Sequence, residues 1–226
     1  MNRQADDRPE ELRLSIDTKA AVKIGEFSRG GYSWVQVQAL DHDYQPDAVL
    51  VPVGILIPKY DELWVYFVPQ RVTADALVDV LDLFWKRNKR RFAGVTRLVL
   101  NQDNGPENNS RRTQFMQRIV GFADKHETAI RLAYYPPYHS KYNPVERCWA
   151  VLENEWSGDL LDSVEAALGH ASSMTWKGNH PEVRLIHRVY EKGKSLCKKA
   201  MATIEARIRR FAGLEKWFID IEPQAA

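Results

Sequence analysis

Residues 134–149 read YYPPYHSKYNPVERCW. The stretch ends an apolar segment, Ala129 to Tyr134, and opens another built on Val145, Trp149, Leu152 and Trp156 at helical spacing. Between them a Pro-Pro turn, a histidine and a lysine crowd ahead of one glutamate, Glu146. Asn143 and Pro144 suit the N-cap and first turn of a helix, with Glu146 placed to reach back as a capping box. That is one reading of Glu146. The other is a carboxylate aimed by a rigid frame at some chemistry, and the rest of the chain has to choose between them.

Upstream, the pattern is extended. Leu12, Leu14 and Ile16 alternate with polar residues, and strands are expected over Val22 to Ile24, Tyr32 to Leu40, Val49 to Leu56 and Leu63 to Val68. Arg29-Gly30-Gly31 and the DHDYQP stretch from Asp41 supply turns. The period then lengthens. Thr73 is a natural N-cap for a helix carrying Leu77, Val80, Leu81 and Phe84, which ends in a basic cluster, Lys86 to Arg91. Arg97 to Leu100 reads as a short buried strand that runs into the loop NQDNGP. Ser110 is placed to cap a helix carrying Phe115, Ile119 and Phe122. Beyond residue 160 the sequence predicts a Leu/Ala-rich helix, a break at Gly178-Asn179-His180-Pro181, a basic helix from about Ser195 to Phe211 and a last strand at Lys216 to Ile221. Strands first, then strands alternating with helices, imply an α/β fold with a mixed sheet and helices packed on it. Residues 1–11 are polar and expected as a disordered arm, 12–160 as the core, and 161–226 as an extension packed on or completing the same domain.

The totals exclude some classes. At 226 residues, 44% hydrophobic and 27% charged, the chain is ordinary for a globular protein with one sizeable core. No apolar run is long enough for a membrane helix, and the N-terminus lacks a signal-peptide core, so a cytoplasmic setting is expected. Cys148 and Cys197 fit no metal or redox spacing and read as reduced thiols. The net charge of +2 hides segregation: Lys177 to Lys216 holds eleven Lys/Arg against four Glu. One polyanion-facing side would explain that, as would a solvated helix face.

Three acidic residues stand out. Asp17 lies within a strand whose Leu14 and Ile16 argue for burial, and a buried charge needs a partner or an ion. Asp103 follows the short apolar strand, where an Asp-Asn-Gly loop also reads as a plain turn. Glu146 opens a helix. If the fold brings the three to one edge of the sheet, their repulsion calls for cations, and hard oxygen ligands suit magnesium or manganese. Two such ions would serve phosphodiester chemistry.

The ordered set LSIDTK, LVLNQDNGPEN and YYPPYHSKYNPVERCW resembles the DDE transposases of bacterial insertion sequences. More broadly, it resembles the mariner-like branch of the RNase H-like, retroviral-integrase superfamily. Asp17 to Asp103 spans 86 positions and Asp103 to Glu146 spans 43, which fits that arrangement. DHDY and the late KWFIDIEP are similar to one insertion-sequence group, so the likeness runs from about Leu12 to Pro223. It implies an RNase H-like sheet of five strands flanked by helices, and a reaction dependent on Mg²⁺ or Mn²⁺, with two ions held by Asp17, Asp103 and Glu146. Water would cut the phosphodiester at the element's ends, and the freed 3′-hydroxyl would attack target DNA at the nucleoid. The need to hold paired ends points toward a homodimer, with no seam readable in the sequence. Such enzymes carry an N-terminal helix-turn-helix region, whereas about a dozen residues precede the first strand here. His139, Lys141, Lys198, Lys199, Arg207, Arg209 and Arg210 are the candidate DNA contacts. Ser140 has no base beside it and is not a nucleophile candidate, and His180, His187 and Cys197 form no zinc spacing. A metal nuclease of the same fold and an inactive DNA-binding derivative remain alternatives.

Overall fold

The alternation at the start of the chain becomes β1 (Glu11–Thr18), the strand on which the structure is organised. The computed structural model describes residues 2–27, 45–136, 142–193 and 195–224. The expected strand from Tyr32 to Leu40, the DHDY turn, and His139, Ser140 and Lys141 lie outside the described residues. Side chains of a strand alternate between faces, so Leu12, Leu14 and Ile16 enter one core while Arg13, Ser15 and Asp17 face the other way.

Further strands are β2 (Val22–Ile24), β3 (Ala48–Ile57), β4 (Glu62–Pro69), β5 (Arg97–Gln102), β6 (Ala129–Tyr134), β7 (Glu182–Leu185), β8 (Ile208–Arg210) and β9 (Phe218–Ile221). Among the described residues they form one nine-stranded sheet in the order β7-β4-β3-β1-β5-β6-β9-β8, with β2 paired to β3. The meander β1-β3-β4 is antiparallel, whereas β1, β5 and β6 run parallel. The five expected strands therefore make up the middle of a larger sheet. The segment after residue 160 lengthens it at both edges, β7 beside β4 and β9 beside β6. Arg131 and Asp220, directly opposite on β6 and β9, join in a two-point ion pair at 2.7 Å.

Helices cover both faces. On one lie α2 (Ala74–Asn88) and α3 (Thr113–His126), packed over Leu14, Ile55, Leu98 and Leu132. Thr73 caps α2 as expected, its hydroxyl accepting from the Ala76 N–H at 3.3 Å. Ser110 does not cap α3. It is buried in the preceding loop, and the residue before the helix is Arg112, which makes no side-chain cap. A polar seam joins the two helices: Gln114 to Asp75 at 2.6 Å, Arg118 to Asp79, and His126 with Lys125 to Asp82 at 2.7 Å each.

On the other face lie α4 (Glu146–Trp156) and α5 (Val164–Ser173), which bury Trp149, Leu152, Trp156 and Ala167 against Leu56, Val65 and Phe67. Residues 1–11 are not a bare arm. They include α1 (Asn2–Asp7), whose Ala5 packs on Val99 and Ala133 and whose Asp6 holds Arg13 at 2.6 and 2.8 Å. The basic helix is also shorter than expected. It is α6 (Lys198–Glu205), because the next residues are taken up by the sheet as β8.

The approach of α4 to the sheet depends on Gly54 of β3. A Cβ there would sit 2.6 and 2.9 Å from the Trp149 ring and 2.9 Å from Val145, closer than atoms pack. Neither the indole nor the valine has a soft end to move aside. Gly54→Ala is expected to destabilise the protein by about 1–3 kcal/mol, read as a lower urea midpoint with an unchanged slope. An unchanged midpoint would mean that α4 does not rest on this strand.

Candidate active site

Ser15, buried on the α4 side of β1, donates to the Asn143 side-chain oxygen and accepts from the Val145 N–H at 3.0 Å. Asn143, fully buried, donates through Nδ2 to the Ile16 carbonyl at 2.9 Å. Asn143 is therefore not the side-chain cap that its place before Pro144 suggests. The residue preceding the helix proper is Val145, and no side chain caps it. Tight turns lead in instead, with Glu146 N–H on the Asn143 carbonyl at 3.1 Å and Arg147 N–H on Pro144 at 3.2 Å. The amide of Asn143 goes to β1 because a strand carbonyl and a buried hydroxyl both need partners there.

This link places two carboxyl groups. Asp17 follows Ser15 on the same face of β1, and Glu146 follows Asn143 by one turn. The third comes by register. Each β1 residue from Glu11 to Ser15 pairs with the β5 residue 86 positions later, and Asp103 stands 86 positions after Asp17, just past the end of β5. Asp103 thus leaves β5 at the level of Asp17. Asn108 Nδ2 donates to its Oδ1 at 3.1 Å, and Gly105 lies so close that a Cβ would stand 3.0 Å from its Oδ2. The Tyr134 hydroxyl, donating to the Asn108 carbonyl at 2.7 Å, ties this loop to β6.

Asp17 carries the electrostatic mark of the assembly. Burial pushes its carboxyl from 3.8 up to about 6; hydrogen bonds from Trp149 and from Thr18 pull it down, and the charges of Asp103 and Glu146 push it up. The Trp149 indole N–H meets its Oδ2 at 2.6 Å. Lys19 is held by Glu153 of α4, so the end of β1 is fixed on that helix from both sides of Asp17. Beside Asp103 opens a cavity of about 390 Å³ lined by Thr18, Gln70, Arg71 and Asn108 among others.

The donors are all carboxylates, the set that a hard divalent cation prefers. Among the described residues, no three acidic, histidine or cysteine groups stand close enough to hold an ion as they are. Asp17 instead rests on Trp149, and Asp103 on Asn108. The two cysteines are free thiols, Cys148 buried and Cys197 exposed.

The basic residues part company. Lys198, Lys199 and Arg209 are exposed, Arg209 lying over Phe211 at 5.4 Å. Arg207 grips Asp124 of α3 with two bonds of 2.7 Å, and Arg210 binds Glu205 at 2.8 and 3.1 Å and the Ser110 carbonyl at 2.9 Å. The last two are thus spent holding α6 and β8 in place. Ser15, Trp149 and Asn108 are the site residues that sequence reasoning missed. The signal for the first was a serine, rather than an apolar residue, between Leu14 and Ile16 in a buried strand.

The family described as Rhodopirellula transposase DDE domain matches residues 1–223. No curated protein matches the sequence. Among solved structures, the Mos1 transposase paired-end complex with the left transposon end is similar at a TM-score of 0.50 and 12% identity, covering 69% of this chain and 45% of that one. The Mos1 mariner paired-end complex with Mn gives a TM-score of 0.50 and 11% identity, covering 73% of this chain and 48% of that one. This likeness is one of fold, an RNase H-like mixed sheet flanked by helices. The chain spans about half the length of these structures. No helix among the described residues is long and apolar enough to cross a membrane.

An Asp17 carboxyl raised by burial has a consequence for stability in chelator. The unfolded chain releases this proton near 3.8 and the native protein near about 6, so the native state holds more proton between them. Its share of stability is present below the lower value and lost as pH rises to the upper one. Asp17→Asn is therefore expected to exceed wild type at pH 7 by on the order of 2 kcal/mol, with the gap closing as the pH falls toward 4. Urea melts of both proteins with EDTA check this, and a gap that persists on acidification would contradict it.

Proposed function

The chain belongs to the family of the Rhodopirellula transposase DDE domain, and from that membership we propose that it cuts and joins DNA at the ends of a mobile element through Asp17, Asp103 and Glu146. The observation that carries the reading is the convergence on Asp17 of β1: the loop after β5 brings Asp103 to its level by strand register, the first turn of α4 carries Glu146, and the charges of both reach its carboxyl. Magnesium or manganese, as two ions when bound, would supply the positive charge that activates an attacking oxygen and stabilises a leaving one. The Mos1 mariner paired-end complex with Mn supports that choice of metal.

The chain's own residues do the positioning. Trp149 and Asn108 hold one oxygen each of Asp17 and Asp103, which fixes the direction in which the remaining carboxylate oxygens present themselves. Asn143 and Ser15 set the start of α4 and so the place of Glu146. The cavity beside Asp103, with Arg71 on its wall, gives a phosphodiester room to approach. Water would attack at the element's end, and the freed 3′-hydroxyl would then attack target DNA. Bond order at phosphorus is conserved in both steps, with no covalent protein intermediate. Lys198, Lys199 and Arg209 are proposed to follow the DNA backbone, and His139 and Lys141 to contact DNA phosphates or help position water. Two copies holding two ends at the bacterial nucleoid complete the proposal; the paired-end Mos1 complexes support that arrangement.

Asp17→Asn, Asp103→Asn and Glu146→Gln are each expected to lower metal-dependent nicking and joining by at least about a hundredfold while the proteins still melt cooperatively. The assay uses intact and pre-cleaved element ends with Mg²⁺ or Mn²⁺. Cleavage without joining would identify a nuclease. Full activity in all three variants would remove the carboxylates from the chemistry.

A further inference from the structure

On the α2 face of the sheet, away from Asp17, a groove of about 860 Å³ runs along the edge strand β7. Its wall holds two buried donors with no acceptor. The Tyr66 hydroxyl on β4 is wholly buried and makes no hydrogen bond, and neither does the Arg184 Nε on β7. Tyr66 and Arg184 are register partners, so they stand side by side on neighbouring strands. Arg87, at the end of α2, lies over the Trp64 ring at 5.9 Å and has no carboxylate partner among the described residues. Arg184 pairs through Nη2 with the exposed Glu182 at 3.7 Å, which leaves its Nε without an acceptor.

The groove also contains Asp79 and Asp82, and both are already neutralised. Asp79 receives Arg118, Arg188 at 2.9 Å and the Tyr190 hydroxyl at 3.0 Å. Asp82 receives Lys86 at 2.8 Å, and Lys125 and His126 at 2.7 Å. Burial opposes ionisation of Asp82, yet these bonds outweigh it and hold the carboxyl below the ordinary range. Burial pushes the Tyr66 phenol up, while the charges of Arg184 and Arg87 draw it back, so both guanidiniums bear on that one hydroxyl. A buried phenol and a buried guanidinium N–H without acceptors are costly unless something completes them. What would complete both is an oxyanion with several acceptor oxygens.

We propose that this groove is a phosphate-binding site, in which Tyr66 and Arg184 donate to phosphate oxygens and Arg87 adds charge at the rim, the phosphate belonging to a DNA duplex that lies along the β7 edge. Among the described residues β7 is the edge strand of the sheet, so a long ligand can run past it while the two buried donors fix one of its phosphates. The site needs neither divalent ions nor the three carboxylates, so it stands apart from the reading of the active site.

The test uses the full chain in EDTA, with inorganic phosphate as one probe and a labelled duplex as the other. Without phosphate, Tyr66→Phe should melt higher than wild type, because a hydroxyl lacking an acceptor has been removed. With phosphate, the upward melting shift of wild type should be lost in Tyr66→Phe and Arg184→Gln. Duplex affinity by fluorescence anisotropy should fall about tenfold in each, and inorganic phosphate should compete with the duplex. A lower melting temperature for Tyr66→Phe would show that the hydroxyl has a native partner and overturn the proposal. Wild-type phosphate shifts and duplex affinity in both variants would overturn it as well. A lost phosphate shift with unchanged duplex affinity would uphold the phosphate site and reject DNA as its source. Because metal is absent, none of these results depends on cleavage.

Discussion

Ser15 and Asn143 meet inside the protein across 128 positions of sequence, and almost everything about the proposed active site follows from that meeting. A buried amide and a buried hydroxyl tolerate few arrangements, since any shift leaves a donor or acceptor unsatisfied. Here they satisfy each other, the Ile16 carbonyl and the Val145 N–H in one group. The contact fixes a point on β1 and a point on the lead-in to α4. Strand period then carries the chain from Ser15 to Asp17 on the same face, and one helical turn carries it from Asn143 to Glu146. Gly54 completes the constraint by letting the Trp149 ring lie against the sheet, where its N–H reaches Asp17.

The parallel pairing of β1 with β5 does for Asp103 what the Ser15–Asn143 link does for Glu146. Its constant offset of 86 is set by apolar matching, Leu12 beside Leu98 and Leu14 beside Leu100, far from the acidic end. Carboxylates are thus assembled by forces indifferent to their charge. The cost appears where it cannot be shed, on Asp17, whose carboxyl resists ionisation through burial and then through its two acidic neighbours. A protein without use for that arrangement would be more stable with an asparagine there. Cations would relieve the same strain, which is why electrostatic discomfort at this point reads as function.

Much of this was legible in the sequence, and the rest failed for identifiable reasons. Leu12, Leu14 and Ile16 announced β1, Thr73 announced the start of α2, and the spacing of the acidic residues already contained the β1–β5 register. Asn143 was misread because Asn-Pro-Val-Glu satisfies every local rule for a capping box, and its true partner, Ser15, is remote in sequence. Ser110 failed likewise, a good cap by type that the fold buried instead. The arm before β1 looked featureless because Ala5 is its one core residue among those described, and what holds it is an ion pair between Asp6 and Arg13. The basic helix was read too long because charge periodicity carries no record of pairing. Arg207 answers to Asp124, 83 positions away.

That last point alters how the charge of this chain should be read. The excess between Lys177 and Lys216 looked like a surface for a polyanion, yet Arg207, Arg210, Arg188 and Lys177 are each met by a carboxylate of the fold. In the cluster after α2, Lys86 is met by Asp82 and Arg91 by Glu62, and Lys89 donates to the His126 carbonyl. Such pairs hold elements together and add little to an outward field, since each positive charge is cancelled within a few ångströms. The cations that can act on a ligand are those the fold leaves without a close carboxylate. Among the described residues these include Lys198, Lys199 and Arg209 on the surface and Arg87 over the Trp64 ring, while Arg184, beside a buried hydroxyl, meets the exposed Glu182 at 3.7 Å. Counted this way, the positive side of the protein is a few specific positions rather than a helix, and one of them is a groove no charge count along the sequence would have marked.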